Sequence, residues 1–118
     1  IHNHAPNAKV FVVGYPVILP NTGHGCFATM PIAAGDVPYL RSTEKKLNTM
    51  LATEAAAHGA TYVDTYTDSI GHDVCQPTGV KWVEDLNPTS PAAPMHPNAL
   101  GEQAMATQVT KAMSAAGI

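Results

Sequence analysis

Charge is scarce in this chain. Of its 118 residues only six are Lys or Arg and nine are Asp or Glu, which leaves a net charge of −3. No basic stripe can be assembled from so few cations, so nucleic acid is excluded as an expected partner. Lys45-Lys46 is the one paired basic site, and two lysines on a helix read as a solvated face. Long apolar runs are missing too, and no charged-then-apolar leader opens the sequence. The expectation is a chain that neither spans a membrane nor carries its own signal peptide. Cysteine is limited to Cys26 and Cys75, both in loop-like stretches. Two free thiols are one reading. The preferred one is a disulfide, which implies an oxidising compartment.

What is present suits one folded domain. Hydrophobic residues make up 45 % of the sequence, well above a disordered composition. Lys9–Tyr15 is an unbroken β-branched and aromatic run, the pattern of a strand covered on both faces in a parallel sheet. Pro16 stops it. Residues 16–36, rich in Pro and Gly, form a long loop. Asp36 is the expected N-cap of a helix with Pro38 in its first turn, with Leu40, Leu47, Leu51 and Ala55 on one face. Gly59 ends it. Ala60–Asp64 reads as a second strand, so the unit is strand, helix, strand with a right-handed crossover. Residues 65–97 form a second long loop. The last helix runs from about Ala99 to Ala115, with Asn98 as N-cap and Met105, Val109, Ala112 and Met113 on one face.

Both long loops leave the carboxyl ends of parallel strands, the edge where open α/β sheets bind ligands. Loops of this length are uncommon unless they serve a site. Two strands apolar on both faces need neighbours, since typical sheets have about five or six strands. The expected fold class is therefore α/β, with this chain (1–118) as the C-terminal portion of a doubly wound domain. A preceding helix would end near Ile1–Pro6, and an N-terminal segment would supply the rest of the sheet.

Among the six histidines, His2, His4 and His24 read as solvated. His58 lies at a helix C-terminus, where a cation suits the dipole. His72 reads as a structural hydrogen-bonding residue. No pair of histidines has metal-ligand spacing on an expected element, so no metal or cofactor is expected. His96 differs. Pro94 and Pro97 stiffen the backbone around it and Asn98 starts the helix after it, which fixes the ring as a general base requires. A structural histidine is the competing reading.

Four segments occur in order: Lys9–Pro16 (K-V-F-V-V-G-Y-P), Tyr62-Val63-Asp64, Gly71–Cys75 (G-H-D-V-C) and Ala93–Gly101 (A-P-M-H-P-N-A-L-G). Together they resemble the C-terminal half of an SGNH (GDSL-type) serine hydrolase, closest to secreted actinobacterial lipases and esterases. The resemblance implies a three-layer α/β/α, flavodoxin-like sandwich with a parallel sheet. It implies a carboxylic ester hydrolase acting on acyl esters without cofactor, with His96 as the base that takes and returns the serine proton. It also makes a Cys26–Cys75 bridge the expected pairing.

The family's Gly-Asp-Ser and Gly-x-Asn-Asp blocks do not occur in this sequence. Gly35-Asp36 is followed by Val37, and Ser42, Ser69, Ser90 and Ser114 lack the family context. The nucleophile and oxyanion hole are therefore expected from an N-terminal segment acting as partner. The family's Asp three residues before the histidine is here Ala93. The Ala93 backbone carbonyl is the expected acceptor for the His96 ring, with Asp85, Glu84 and Asp73 as carboxylate alternatives. Tyr15, Pro16 and Trp82 are expected to line the acyl pocket. The competing function is a non-catalytic SGNH-like fragment or ligand-binding module.

Overall fold

The computed structural model describes residues 1–118. The element order is β1 (Phe11–Val13), α1 (Val37–Ala57), β2 (Thr61–Val63), a 3-10 turn (Thr67–Ser69) and α2 (Ala99–Ala115). The strands pair in parallel, with Phe11 opposite Thr61, Val12 opposite Tyr62 and Val13 opposite Val63. α1 is the crossover between them, as the strand–helix–strand pattern requires. Residues 1–8 fold as hydrogen-bonded turns, with the Ala5 N–H donating to the Ile1 carbonyl at 3.0 Å.

Alternation along the strands sorts the two helices. Tyr62 shares a cavity with Asn48, Thr49 and Ala52 of α1, so this face of the sheet lies under α1. Val63, one residue on and 3 % exposed, points to the opposite face, where α2 packs against β2. Helix, sheet and helix thus form three layers around a short parallel sheet.

The ends of the helices follow local chemistry. The Asn98 side chain accepts from the Leu100 and Gly101 N–H groups at 3.0 and 3.2 Å and starts α2. Gly59, at φ +67°, takes the left-handed conformation just past α1. Asp36 flanks α1 but makes no side-chain cap. The apolar stripe expected on α1 is only partly covered, since Leu40 and Leu47 remain 38 % and 37 % exposed.

The sheet is open along β1. The Thr61 N–H donates to Val10 at 2.8 Å and the Gly14 N–H to Val63 at 3.0 Å. In a parallel ladder this parity turns the peptide groups of Val10, Val12 and Gly14 toward β2 and those of Phe11 and Val13 toward the other edge. No second strand lies there, and Val13 is 38 % exposed rather than covered on both sides.

The main buried cluster lies under the loops, not under the sheet. Leu19, Met30, Val37, Val74 and Val83 form it, with Cys26 and Cys75 packed against it. Those two cysteines are bonded, with 5.5 Å between their Cα atoms and a sequence separation of 49. The bridge ties the loop after β1 to the loop after β2. Cys75→Ser should lower stability by roughly 2–4 kcal/mol, read as a shift of the urea midpoint. A midpoint unchanged by the substitution would mean that the apolar cluster alone holds the loops.

Candidate active site

Asn98 is the hinge between α2 and the loop that carries His96. It is 3 % exposed, and its Nδ2 donates to the Lys81 carbonyl and to Glu84 Oε1, both at 2.8 Å. Glu84 is fully buried. Its carboxylate also receives Lys81 Nζ at 2.9 Å and the Thr89 N–H at 2.9 Å. Asp85 takes Lys81 Nζ at 3.3 Å. Burial pushes the Glu84 carboxyl up, but the donors from Asn98, Lys81, Thr89 and Ser90 outweigh it and hold the group at about 2. For Lys81, burial works against the charge, and hydrogen bonds to Glu84 and Asp85 reverse the effect, so its ammonium is held above the usual value.

The backbone of Glu84 continues the connection. Its N–H donates to the His96 carbonyl at 3.0 Å and its carbonyl accepts the Met95 N–H at 3.2 Å. An antiparallel bridge between Val83 and Pro97 lies beside them. Met95 has φ +63°, a left-handed conformation that a non-glycine residue adopts only under constraint.

His96 itself is exposed. Its Nδ1 lies 2.8 Å from the Pro94 carbonyl oxygen. A carbonyl only accepts, so this contact requires the proton on Nδ1 and leaves the Nε2 lone pair free. The expected acceptor, the Ala93 carbonyl, is corrected to Pro94. The Ala93 oxygen is already taken by the His96 backbone N–H at 3.1 Å, closing the turn, and the ring reaches the next carbonyl instead. The alternative carboxylates are also engaged elsewhere. Glu84 and Asp85 hold Lys81, and Asp73 accepts from the Cys75 N–H at 3.0 Å and from Gln76 at 3.2 Å.

A cavity of about 470 Å3 opens beside His96, lined by Tyr15, Pro16, Ile18, Val83, Met95 and Pro97 among others. Tyr15 and Pro16 thus stand with His96. Trp82 is not among the residues that line this cavity. Its indole stacks on His72, with ring centroids 4.1 Å apart and an interplanar angle of 9°. His72 Nδ1 in turn meets the Val80 carbonyl at 2.6 Å. No serine lines the His96 cavity. Ser69 is wholly buried as a loop fastener, accepting from the Val17 N–H and donating to Tyr66, both at 2.7 Å. No three His, Cys, Asp or Glu side chains come together as a metal set, and no helix is long and apolar enough to cross a membrane.

Gly101 is required where α2 meets this loop. A Cβ there would fall inside the contact radius of the Trp82 carbonyl oxygen and 3.1 Å from its carbon. Backbone on both sides leaves little room for relief. Gly101→Ala should cost about 1–3 kcal/mol despite alanine's better helix propensity, measured by urea unfolding. A neutral or stabilising result would show that α2 can slide off the Trp82 backbone.

Comparison with known proteins gives this arrangement its context. Residues 1–104 match the model of the GDSL-like Lipase/Acylhydrolase family. The chain is 47 % identical over 107 residues to Lipase 2 of Streptomyces coelicolor and 36 % identical over 104 residues to Lipase 1 of the same organism. These alignments cover 90 % and 86 % of the chain but only 36 % of either relative, so the chain spans about a third of their length. The crystal structure of phospholipase A1 from Streptomyces albidoflavus superposes with a TM-score of 0.72 at 28 % identity, over 91 % of this chain and 43 % of that one. The three-layer parallel fold, the segment order and the family match over most of the sequence agree: the chain belongs to the GDSL-like lipase/acylhydrolase family.

Proposed function

We propose that this chain is the base-bearing part of a secreted carboxylic ester hydrolase. The observation that carries the reading is His96, its tautomer fixed by the Pro94 carbonyl, with Nε2 free beside an apolar cavity. In this reading a serine hydroxyl from a preceding segment attacks the ester carbonyl carbon. His96 Nε2 takes the hydroxyl proton as the Oγ–C bond forms, and the imidazolium returns it to the alkoxide as the C–O bond breaks. Water repeats the cycle on the acyl-serine, with His96 again taking and returning the proton. The Pro94 carbonyl orients the ring and its dipole offsets part of the imidazolium charge. The acyl chain lies against Tyr15, Pro16 and Ile18.

The uncovered edge of β1 supports an N-terminal partner segment, since Phe11 and Val13 turn unpaired peptide groups toward it. The match to only 36 % of each relative's length supports it as well. The Cys26–Cys75 bridge supports an oxidising destination. A second reading, a non-catalytic acyl-binding module, draws on the lack of a serine in the cavity.

The two readings separate in one experiment. The protein is treated with a fluorophosphonate probe and its intact mass is recorded with and without reductant. The hydrolase reading expects the adduct on a serine outside these 118 residues. A single species of this chain's mass without adduct overturns it in favour of the binding module.

A further inference from the structure

One face of α1 follows the backbone of the segment that walls the His96 cavity. Arg41, Glu44 and Asn48 stand at i, i+3 and i+7, which stacks them along one side of the helix. Asn48, 8 % exposed, takes both peptide groups of Tyr15: its Oδ1 accepts the N–H at 2.8 Å and its Nδ2 donates to the carbonyl at 2.9 Å. The Glu44 carboxylate accepts the Ile18 N–H, 3.2 and 3.4 Å from its two oxygens. The Arg41 guanidinium donates to the Pro20 carbonyl. Three side chains thus hold three successive stations of the loop, much as a neighbouring strand would.

Glu44 is the member that chemistry would not place there by default. With Tyr15, Ile18, Leu40, Leu47 and Met95 it lines a largely apolar cavity of about 400 Å3. This cavity adjoins the His96 cavity through Tyr15, Ile18 and Met95. A carboxyl in apolar surroundings is costly unless it satisfies a partner. Its partner is the Ile18 N–H, a half-buried donor that would otherwise be orphaned. The Ile18 carbonyl accepts the Val74 N–H at 3.1 Å, next to the disulfide. Ile18 is therefore pinned from both sides while its side chain borders both cavities.

We propose that Glu44 is the positioning residue of this pocket, fixing through the Ile18 N–H the wall against which the ester's acyl chain lies. Arg41 and Asn48 fix the two ends of that wall. The acyl part of this assignment rests on the hydrolase reading above; the anchoring does not. Glu44 acts on binding, so it changes KM for long acyl chains and leaves the proton transfer at His96 alone.

The charge state of Glu44 offers a direct readout. Burial pushes its carboxyl up to about 7, against the pull of the Ile18 N–H and of Lys45 beside it on α1. From the segment after β2, Tyr66 faces it, and Arg41 acts on that same tyrosine. An amide that donates to a carboxyl moves in an NMR spectrum as that carboxyl ionises.

The test has two arms. In amide spectra of the chain between pH 5 and 9, the Ile18 proton should step with a midpoint near 7, and the step should vanish in Glu44→Gln. A flat Ile18 signal, or a step that survives in Glu44→Gln, overturns the anchor. In the hydrolase with its nucleophile, Glu44→Ala should raise KM for an octanoyl ester by roughly three- to tenfold, the worth of one hydrogen bond. KM for the acetyl ester and the pH dependence of kcat should stay within twofold, and Glu44→Gln, which keeps an acceptor, should recover most of the loss. Equal effects on both esters, or a moved kcat–pH limb, overturn the acyl assignment. Absent turnover with an intact Ile18 step removes the hydrolase reading and the acyl wall while the anchor stands.

Discussion

In the proposed ester hydrolase, assayed with the proposed nucleophile-bearing segment, replacing His96 with alanine should lower kcat by between about 10^4-fold and 10^6-fold. The fold should barely register the change. His96 is exposed, and its ring makes one hydrogen bond, to the Pro94 carbonyl. Losing one exposed bond costs at most about 1 kcal/mol. The bonds that hold the segment run through its backbone, to Glu84 and Ala93, and survive the substitution. A large kinetic loss beside an unchanged urea midpoint is the signature of a base. A small kinetic loss, or a kinetic loss that tracks unfolding, would assign His96 to structure and leave the proton transfer without a residue.

The second large effect is on stability. Glu84→Ala should cost about 3–5 kcal/mol in urea unfolding, because it strips a buried ion pair of one partner. Lys81, 2 % exposed, would keep only Asp85 at 3.3 Å, and Asn98 would lose one of the two acceptors that hold the start of α2. Glu84→Gln should cost less, since its one amide oxygen can still accept either from Asn98 or from Lys81 and Thr89.

The same residue sets an acid limit. Its carboxyl sits at about 2 in the folded chain against 4.5 as the ordinary value. Between those values the unfolded chain binds a proton that the folded one does not. Its contribution is therefore complete above about 4.5 and lost as the pH falls toward 2. Glu84→Ala should flatten that limb of a stability–pH curve. A limb of unchanged depth would move the origin of acid sensitivity to other carboxylates.

The sequence showed the regular elements and little of what joins them. β1 stood out because it lies within Lys9–Tyr15, a β-branched and aromatic run stopped by Pro16, and α2 because Asn98 announces a cap. The Cys26–Cys75 bridge and the three-layer parallel fold, expected from the family resemblance, are both present. The fastening of the loops was not legible. Asn48 to Tyr15, Glu44 to Ile18 and Ser69 to Val17 are side chain-to-backbone bonds across 33, 26 and 52 residues, and no local pattern announces them. Glu84 and Asp85 were legible only as carboxylates that could orient His96; their burial together with Lys81 as an ion-pair cluster is not announced by the sequence. The shift from Ala93 to Pro94 as the ring's acceptor lies in a turn whose Met95 adopts a positive φ, which residue identity does not announce. The stacking of Trp82 on His72, ten residues away, was likewise not announced by any local pattern.

The uncovered edge of β1 also bears on how the chain behaves toward copies of itself. An unpaired strand edge is a template for indiscriminate sheet growth, and its danger rises with length and flatness. This one runs for three residues. Upstream, the ammonium of Lys9 is tied to the Ala116 carbonyl at the end of α2, and downstream the N–H and carbonyl of Tyr15, next in parity along that edge, are both taken by the Asn48 side chain. The edge can thus recognise one short, apolar strand yet offers poor purchase for fibre-like stacking, a guard against aggregation written into the two residues that frame it.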